Sequence, residues 1–124
     1  MSIHPTAVVH PDATVGDVTI GPFSVVGADV TLPDGVEIGA HCVLEGPMSI
    51  GPRTVLTSHV ALGAAPQDKK HDPSVRTELV IGADNVFREF SSAHRGSSHG
   101  GKLTSIGDGN YFMANSHVAH DCKV

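Results

Sequence analysis

The stretch Ile20–Leu56, IGPFSVVGADVTLPDGVEIGAHCVLEGPMSIGPRTVL, sets an aliphatic residue at every sixth position. The beat falls on Ile20, Val26, Leu32, Ile38, Leu44, Ile50 and Leu56, with Gly directly after it at 21, 27, 39 and 51. Four residues past the beat stands a small or β-branched side chain: Ser24, Val30, Val36, Cys42, Thr54. A period of six fits neither a 3.6-residue helix nor the strict alternation of a hairpin strand. Two inward side chains per six residues describe a flat strand followed by a turn. Three such units close a triangular coil, and stacked coils make parallel sheets about 4.8 Å apart. The glycines are expected at the corners, where a residue without Cβ accepts φ > 0.

Outward from this stretch the beat extends back through Val15, Val9 and Ile3, after one five-residue step between Val15 and Ile20. Forward it reaches Leu62, returns at Ile81, Phe87 and Ala93, and again at Ile106, Phe112, Val118 and Val124. The fold class is therefore all-β, a parallel β-helix of roughly six coils, expected as one domain over residues 1–124. Two stretches lose the rhythm: residues 63–80, GAAPQDKKHDPSVRTELV, and residues 94–105, HRGSSHGGKLTS. Insertions in a solenoid leave the core as external loops, often on a binding face.

Composition agrees. Fourteen Gly, eight Pro, no Trp and 4% aromatic residues leave little material for helices. The net charge of −5 is divided unevenly. Residues 1–68 hold seven acids and one base; residues 69–124 hold six acids, seven bases and five of the nine histidines. A bulk nucleic-acid binder would be far more basic, whereas a local cluster of bases and histidines suits a small phosphorylated ligand. Cys42 and Cys122 stand far apart in no metal-ligand spacing, as in a reducing compartment. No leader pattern and no run of about 20 apolar residues occurs, so a cytoplasmic protein without stable membrane insertion is expected.

The densest chemistry is SHVAHDC, Ser116–Cys122. By the beat, His94 and His120 fall near the start of one face in neighbouring coils, about one strand spacing apart, and His117 ends the preceding face. None is inward, so three imidazoles should share an outer edge. His4, His10, His41 and His59 lie between beats and are expected as solvated surface residues. For the 94/117/120 group three readings are open: coincidence, a metal site, or acid–base catalysis. An imidazole with an ordinary pKa of about 6.5 can take a proton from a hydroxyl that attacks a thioester. Asp121 could orient that ring and stabilise the imidazolium. Adjacent strand residues point to opposite faces, so the two bond only if a corner bends them together.

PQDKK (Pro66–Lys70), AHRGSSHGGKLTSIGDGN (Ala93–Asn110) and NSHVAHDC (Asn115–Cys122) resemble a hexapeptide-repeat acyltransferase family, the UDP-N-acetylglucosamine O-acyltransferases of lipid A biosynthesis. IHPTAVVHPDA and IGPFSVVG near the start are also similar to it. The resemblance implies a left-handed coil, against the right-handed habit of parallel crossovers. It implies a homotrimer with each site between two subunits. It implies transfer of a 3-hydroxyacyl chain from acyl carrier protein to the 3-hydroxyl of UDP-N-acetylglucosamine, with no cofactor, metal or nucleic acid involved. In that scheme His120 is the general base and Asp121 its partner. Gln67 and Asp68 contact the sugar, Lys70 lies near the phosphates, and His94 and His117 line the sugar pocket. The family's later coils and C-terminal helical region, which supply an oxyanion amide and the acyl-length slot, are absent from these 124 residues. Two alternatives stay open: a catalytically silent trimeric scaffold or UDP-sugar-binding module, and the related N-acyltransferase of the same pathway. The latter normally carries a domain before its repeats, whereas the beat here begins at Ile3.

Overall fold

In the computed structural model, which describes residues 1–124, the beat becomes a three-sided coil with no helix. One sheet stacks Ser2–Ile3, Thr19–Ile20, Glu37–Ala40, Val55–Ser58, Val86–Phe87 and Tyr111–Phe112. A second stacks Val8–Val9, Val25–Val26, Val43–Leu44, Ala61–Ala64, Ser92–His94 and His117–Val118. The third holds Thr14–Val15, Val30–Leu32, Met48–Ser49, Glu78–Ile81 and Leu103–Ile106. Every pairing is parallel, and beat meets beat: Ile20 on Ile38, Val26 on Leu44, Ile81 on Ile106.

The beat residues fill the triangle. Ile20, Leu32, Ile38, Leu44, Leu56, Leu62 and Phe87 are buried in one core cluster. Each such side chain contributes about 1.5–3 kcal/mol of transfer free energy. The positions four residues later are buried as well, including the polar Ser24 and Thr54. Their hydroxyls are satisfied by the next coil's backbone. Ser24 Oγ donates to the Gly39 carbonyl at 2.7 Å, and Thr54 Oγ1 to that of Gly82 at 3.2 Å.

The glycines do a different job from the one expected. Left-handed backbone falls instead on the residue three past the beat, and most of these residues are not glycine: Phe23, Asp29, His41, Arg53, His59, Asp84, Phe90, Asn115 and Asp121, with φ between 51° and 67°. Glycine directly after the beat answers to close stacking. A Cβ at Gly39 would lie 1.5 Å from the Thr57 carbonyl oxygen, and one at Gly51 would lie 2.4 Å from the Gly82 carbonyl carbon. Coils approach backbone to backbone there, and any side chain would hold them apart.

His41 and His59 are exposed but not free. Their rings stack at 4.8 Å between centroids, capped by Phe23 at 5.3 Å on one side and Phe90 at 5.2 Å on the other. All four occupy equivalent left-handed corners of successive coils, so the repeat itself builds the column. The two imidazoles lie on the surface as expected, and the stacking is an addition to that reading. Their common corner puts one ring over the next at stacking distance.

The chain leaves the coil at residues 65–77 and 95–102. The second excursion begins where the Arg95 guanidinium donates to the carbonyls of Gly46 and Gly63, at 3.1 and 2.5 Å. Gly63 is a bulge with φ +86°, and a Cβ there would lie 1.9 Å from the Glu45 oxygen. The two excursions are tied together. His71 Nδ1 accepts the Ser98 amide at 3.1 Å, and Ser98 Oγ accepts the Asp72 amide at 2.8 Å.

Candidate active site

The second sheet carries the histidines. His94 ends the strand Ser92–His94, and His117 opens the next strand in the stack, paired with Ser92. His117 was expected on the preceding face. The left-handed corner comes at Asn115, two residues before it, so the chain has already turned by His117. The His94 and His117 rings meet edge to face with centroids 4.5 Å apart. Ser92 Oγ lies 2.7 Å from His117 Nδ1. His94 Nδ1 is buried without a hydrogen-bond partner. Burial first, then the neighbouring charges of His117, His120 and Arg95, push His94 below the ordinary imidazole value.

His120 lies past the strand His117–Val118, on the turn that leads to the third sheet. Asp121 is the left-handed corner residue, with φ 67°. That corner swings the carboxylate back until His120 Nδ1 stands 2.8 Å from Asp121 Oδ2. The pair is half-shielded, with side chains 32% and 20% exposed. Asp121 Oδ1 accepts the Ser97 amide at 2.8 Å, Oδ2 accepts the Ser97 hydroxyl at 2.6 Å, and the Asp121 amide donates to Thr104 Oγ1 at 2.9 Å. Burial alone would raise the Asp121 carboxyl. The Ser97 hydroxyl, His120 and the Ser97 amide outweigh it and bring the carboxyl from 3.8 down to about 2. An ionised Oδ2 can only accept, so Nδ1 of His120 carries a proton, and in the neutral ring Nε2 is the acceptor.

Of the remaining candidates, Gln67 and Lys70 are exposed on the 65–77 excursion, and the Asp68 carboxylate accepts the Lys70 amide at 2.9 Å. Within one chain no hydrogen bond or ion pair joins Gln67, Asp68 or Lys70 to His94, His117 or His120. No group of three or more His, Cys, Asp or Glu side chains converges as a metal-holding set. The roomiest cleft of the single chain, about 180 Å³, is lined by Asp29, Thr31, Ser49, Arg76 and Glu78 and includes none of the three histidines.

Ser97, Thr104 and Gly100 escaped the reading of the sequence. Carrying the Ala93–Val118 register three residues further sets Asp121 beside Gly96, one residue from Ser97. The register alone could have raised Ser97, but the break in rhythm at 94–105 hides it.

The comparisons with known proteins bear on this geometry. No protein-family model matches the chain. The acyl-[acyl-carrier-protein]–UDP-N-acetylglucosamine O-acyltransferase of Xanthomonas oryzae pv. oryzae (strain PXO99A) is 50% identical over 121 residues, which is 97% of this chain and 46% of that protein. The enzyme of the same name from Stenotrophomonas maltophilia (strain R551-3) is 51% identical over 123 residues, 98% of this chain and 46% of that protein. The solved structure of LpxA from Acinetobacter baumannii superposes with a TM-score of 0.95 at 39% identity, covering 98% of this chain and 47% of that one. In sequence and in fold, this chain is a partial-length relative of the UDP-N-acetylglucosamine O-acyltransferases. It spans under half the length of the relatives it matches. The fold is the left-handed parallel β-helix of these acyltransferases. No helix of the chain is long and apolar enough to cross a membrane.

Proposed function

We propose that the chain carries the acid–base half of an acyltransferase site. The site moves a 3-hydroxyacyl chain from acyl carrier protein to the 3-hydroxyl of UDP-N-acetylglucosamine, the opening step of lipid A biosynthesis in the cytoplasm. The observation that carries this is the His120–Asp121 contact, which leaves Nε2 of His120 as the acceptor. Nε2 takes the proton as the sugar oxygen attacks the thioester carbonyl. The imidazolium then formed is stabilised by the Asp121 carboxylate. The proton returns to the leaving sulfur of the carrier as the tetrahedral intermediate collapses. General-base assistance of this kind is worth about 10²–10⁴ in rate.

His94 and His117 line the sugar pocket, their rings meeting edge to face with centroids 4.5 Å apart. Gln67 and Asp68 contact the sugar, and the Lys70 ammonium meets the phosphates as a point charge. Their lack of any bond to the histidines of the same chain supports a homotrimeric site, in which the 65–77 excursion of one subunit faces His120 of the next. The test is incubation of the chain with UDP-N-acetylglucosamine and a 3-hydroxyacyl carrier protein, with and without His120→Ala. Acylated nucleotide sugar should form in the first case and fall at least about 100-fold in the second. Equal turnover in both would remove His120 from the chemistry.

A further inference from the structure

Asp121 is gripped from outside the hexad rhythm, and one residue supplies most of the grip. Ser97 donates its amide to Oδ1 and its hydroxyl to Oδ2, at 2.8 and 2.6 Å. Its hydroxyl oxygen also accepts the Gly100 amide at 2.9 Å, which fixes the direction in which the hydroxyl proton points. Ser97 is 2% exposed, so water does not compete for these bonds. Gly100 makes the approach possible: a Cβ there would stand 2.3 Å from Asp121 Oδ2 and 2.8 Å from Ser97 Oγ.

We propose that Ser97 is a positioning residue for the His120–Asp121 pair, aiming the carboxylate so that the imidazole keeps Nδ1–H toward Asp121 and presents Nε2 outward. Oδ2 is shared between the Ser97 hydroxyl and the His120 ring, so its orientation sets the orientation of the ring. With the hydroxyl removed, only the Ser97 amide and the imidazole hold the carboxylate, and the ionised form loses a bond that favours it. The ring is then free to exchange tautomers. Ser98, the next residue, makes hydrogen bonds of the same kind to His71 and Asp72 but none to Asp121, which makes it the internal control.

The consequence for turnover rests on His120 acting as the base; the contact itself does not. The experiment therefore reads both. In the whole 124-residue chain, ¹³C-carboxyl titration of Asp121 and ¹⁵N shifts of the His120 ring are recorded for wild type, Ser97→Ala, Ser97→Cys, Ser97→Thr and Ser98→Ala. Ser97→Cys keeps the volume of the site and supplies only a weak donor, so it covers the case of an unstable alanine variant. Ser97→Ala and Ser97→Cys should raise the Asp121 titration by about one pH unit and erode the Nδ1–H signature of His120. Ser97→Thr, which keeps the hydroxyl donor but adds a methyl to a packed site, should stay closer to wild type than Ser97→Ala in both signals, and Ser98→Ala should leave both in place. In the acyl-transfer assay, losing a hydrogen bond to a charged group predicts a kcat about ten-fold lower with KM for the nucleotide sugar unchanged. Wild-type titration and tautomer in both Ser97→Ala and Ser97→Cys would overturn the proposal. A shift in those signals without turnover in any variant, wild type included, would uphold the positioning role and defeat the acyltransferase assignment.

Discussion

His120 Nδ1 lies 2.8 Å from Asp121 Oδ2, although the two are neighbours in sequence and a strand would send them to opposite faces. The left-handed backbone at Asp121 is the reason, and it is the conformation found three residues past the beat at many other corners, Asp29 and His59 among them. The His120–Asp121 pair is thus a corner of the repeat with two ionisable residues placed on it. Asn tolerates this backbone region well, so Asp121→Asn should keep the fold while removing the charge that holds the imidazole. The prediction is a fall in acyl transfer of about 10²–10⁴ with an unchanged circular dichroism spectrum. Turnover within a few-fold of wild type would show that the carboxylate is dispensable.

The folded Asp121 carboxyl titrates at about 2 against an ordinary 3.8, so the native state releases this proton more readily than the unfolded chain. The resulting stability is fully present above about pH 4 and is lost as pH falls toward about 2. In urea unfolding, wild type should exceed Asp121→Asn by about 1–2 kcal/mol at neutral pH, and the gap should close near pH 2. His94 adds to the same trend. Its depressed proton affinity means that the unfolded state gains protons first as the solution is acidified through the imidazole range. A gap between the two proteins that stays constant with pH would contradict the linkage.

Two glycines should respond in opposite ways to the same change. A Cβ at Gly39 collides with the Thr57 carbonyl oxygen at 1.5 Å, whereas nothing stands within 4 Å of one at Gly101. Gly39→Ala is expected to cost about 3 kcal/mol or more, because two backbones must separate. Gly101→Ala should stay within about 0.5 kcal/mol of wild type. Similar thermal midpoints for the two variants would show that coil spacing is more compliant than the geometry indicates.

His59 combines a corner backbone, φ 51°, with a place in the Phe23–His41–His59–Phe90 column. Asn at this position accepts the backbone but gives up the ring stack, worth about 0.5–1.5 kcal/mol. Val gives up both, and a β-branched residue at positive φ adds about 1–3 kcal/mol of strain. Denaturant unfolding should therefore rank wild type above His59→Asn and His59→Asn above His59→Val. A Val variant as stable as the Asn variant would mean that the corner imposes no strain.

The hexad period is enough to specify the coil. Beat positions of the inner coils, such as Ile38 and Leu44, and inward residues such as Val36 and Cys42 are buried as the period predicts, whereas the terminal beats Ile3 and Val124 are exposed. A one-dimensional repeat makes this possible, because each coil touches only its neighbours and the register propagates by counting. The same counting brought His94, His117 and His120 to one region. It did not say what the glycines or the corner residues do, because both depend on the distance between stacked backbones, which no periodicity contains. It also did not reach Ser97, Thr104 or the tie from Ser98 to His71. Thr104 reaches the Asp121 amide from the neighbouring strand, 17 residues back. The Ser97 and Ser98 contacts form where the chain leaves the repeat and returns, so residues 24 to 27 apart in sequence meet through loop paths that only the tertiary structure decides.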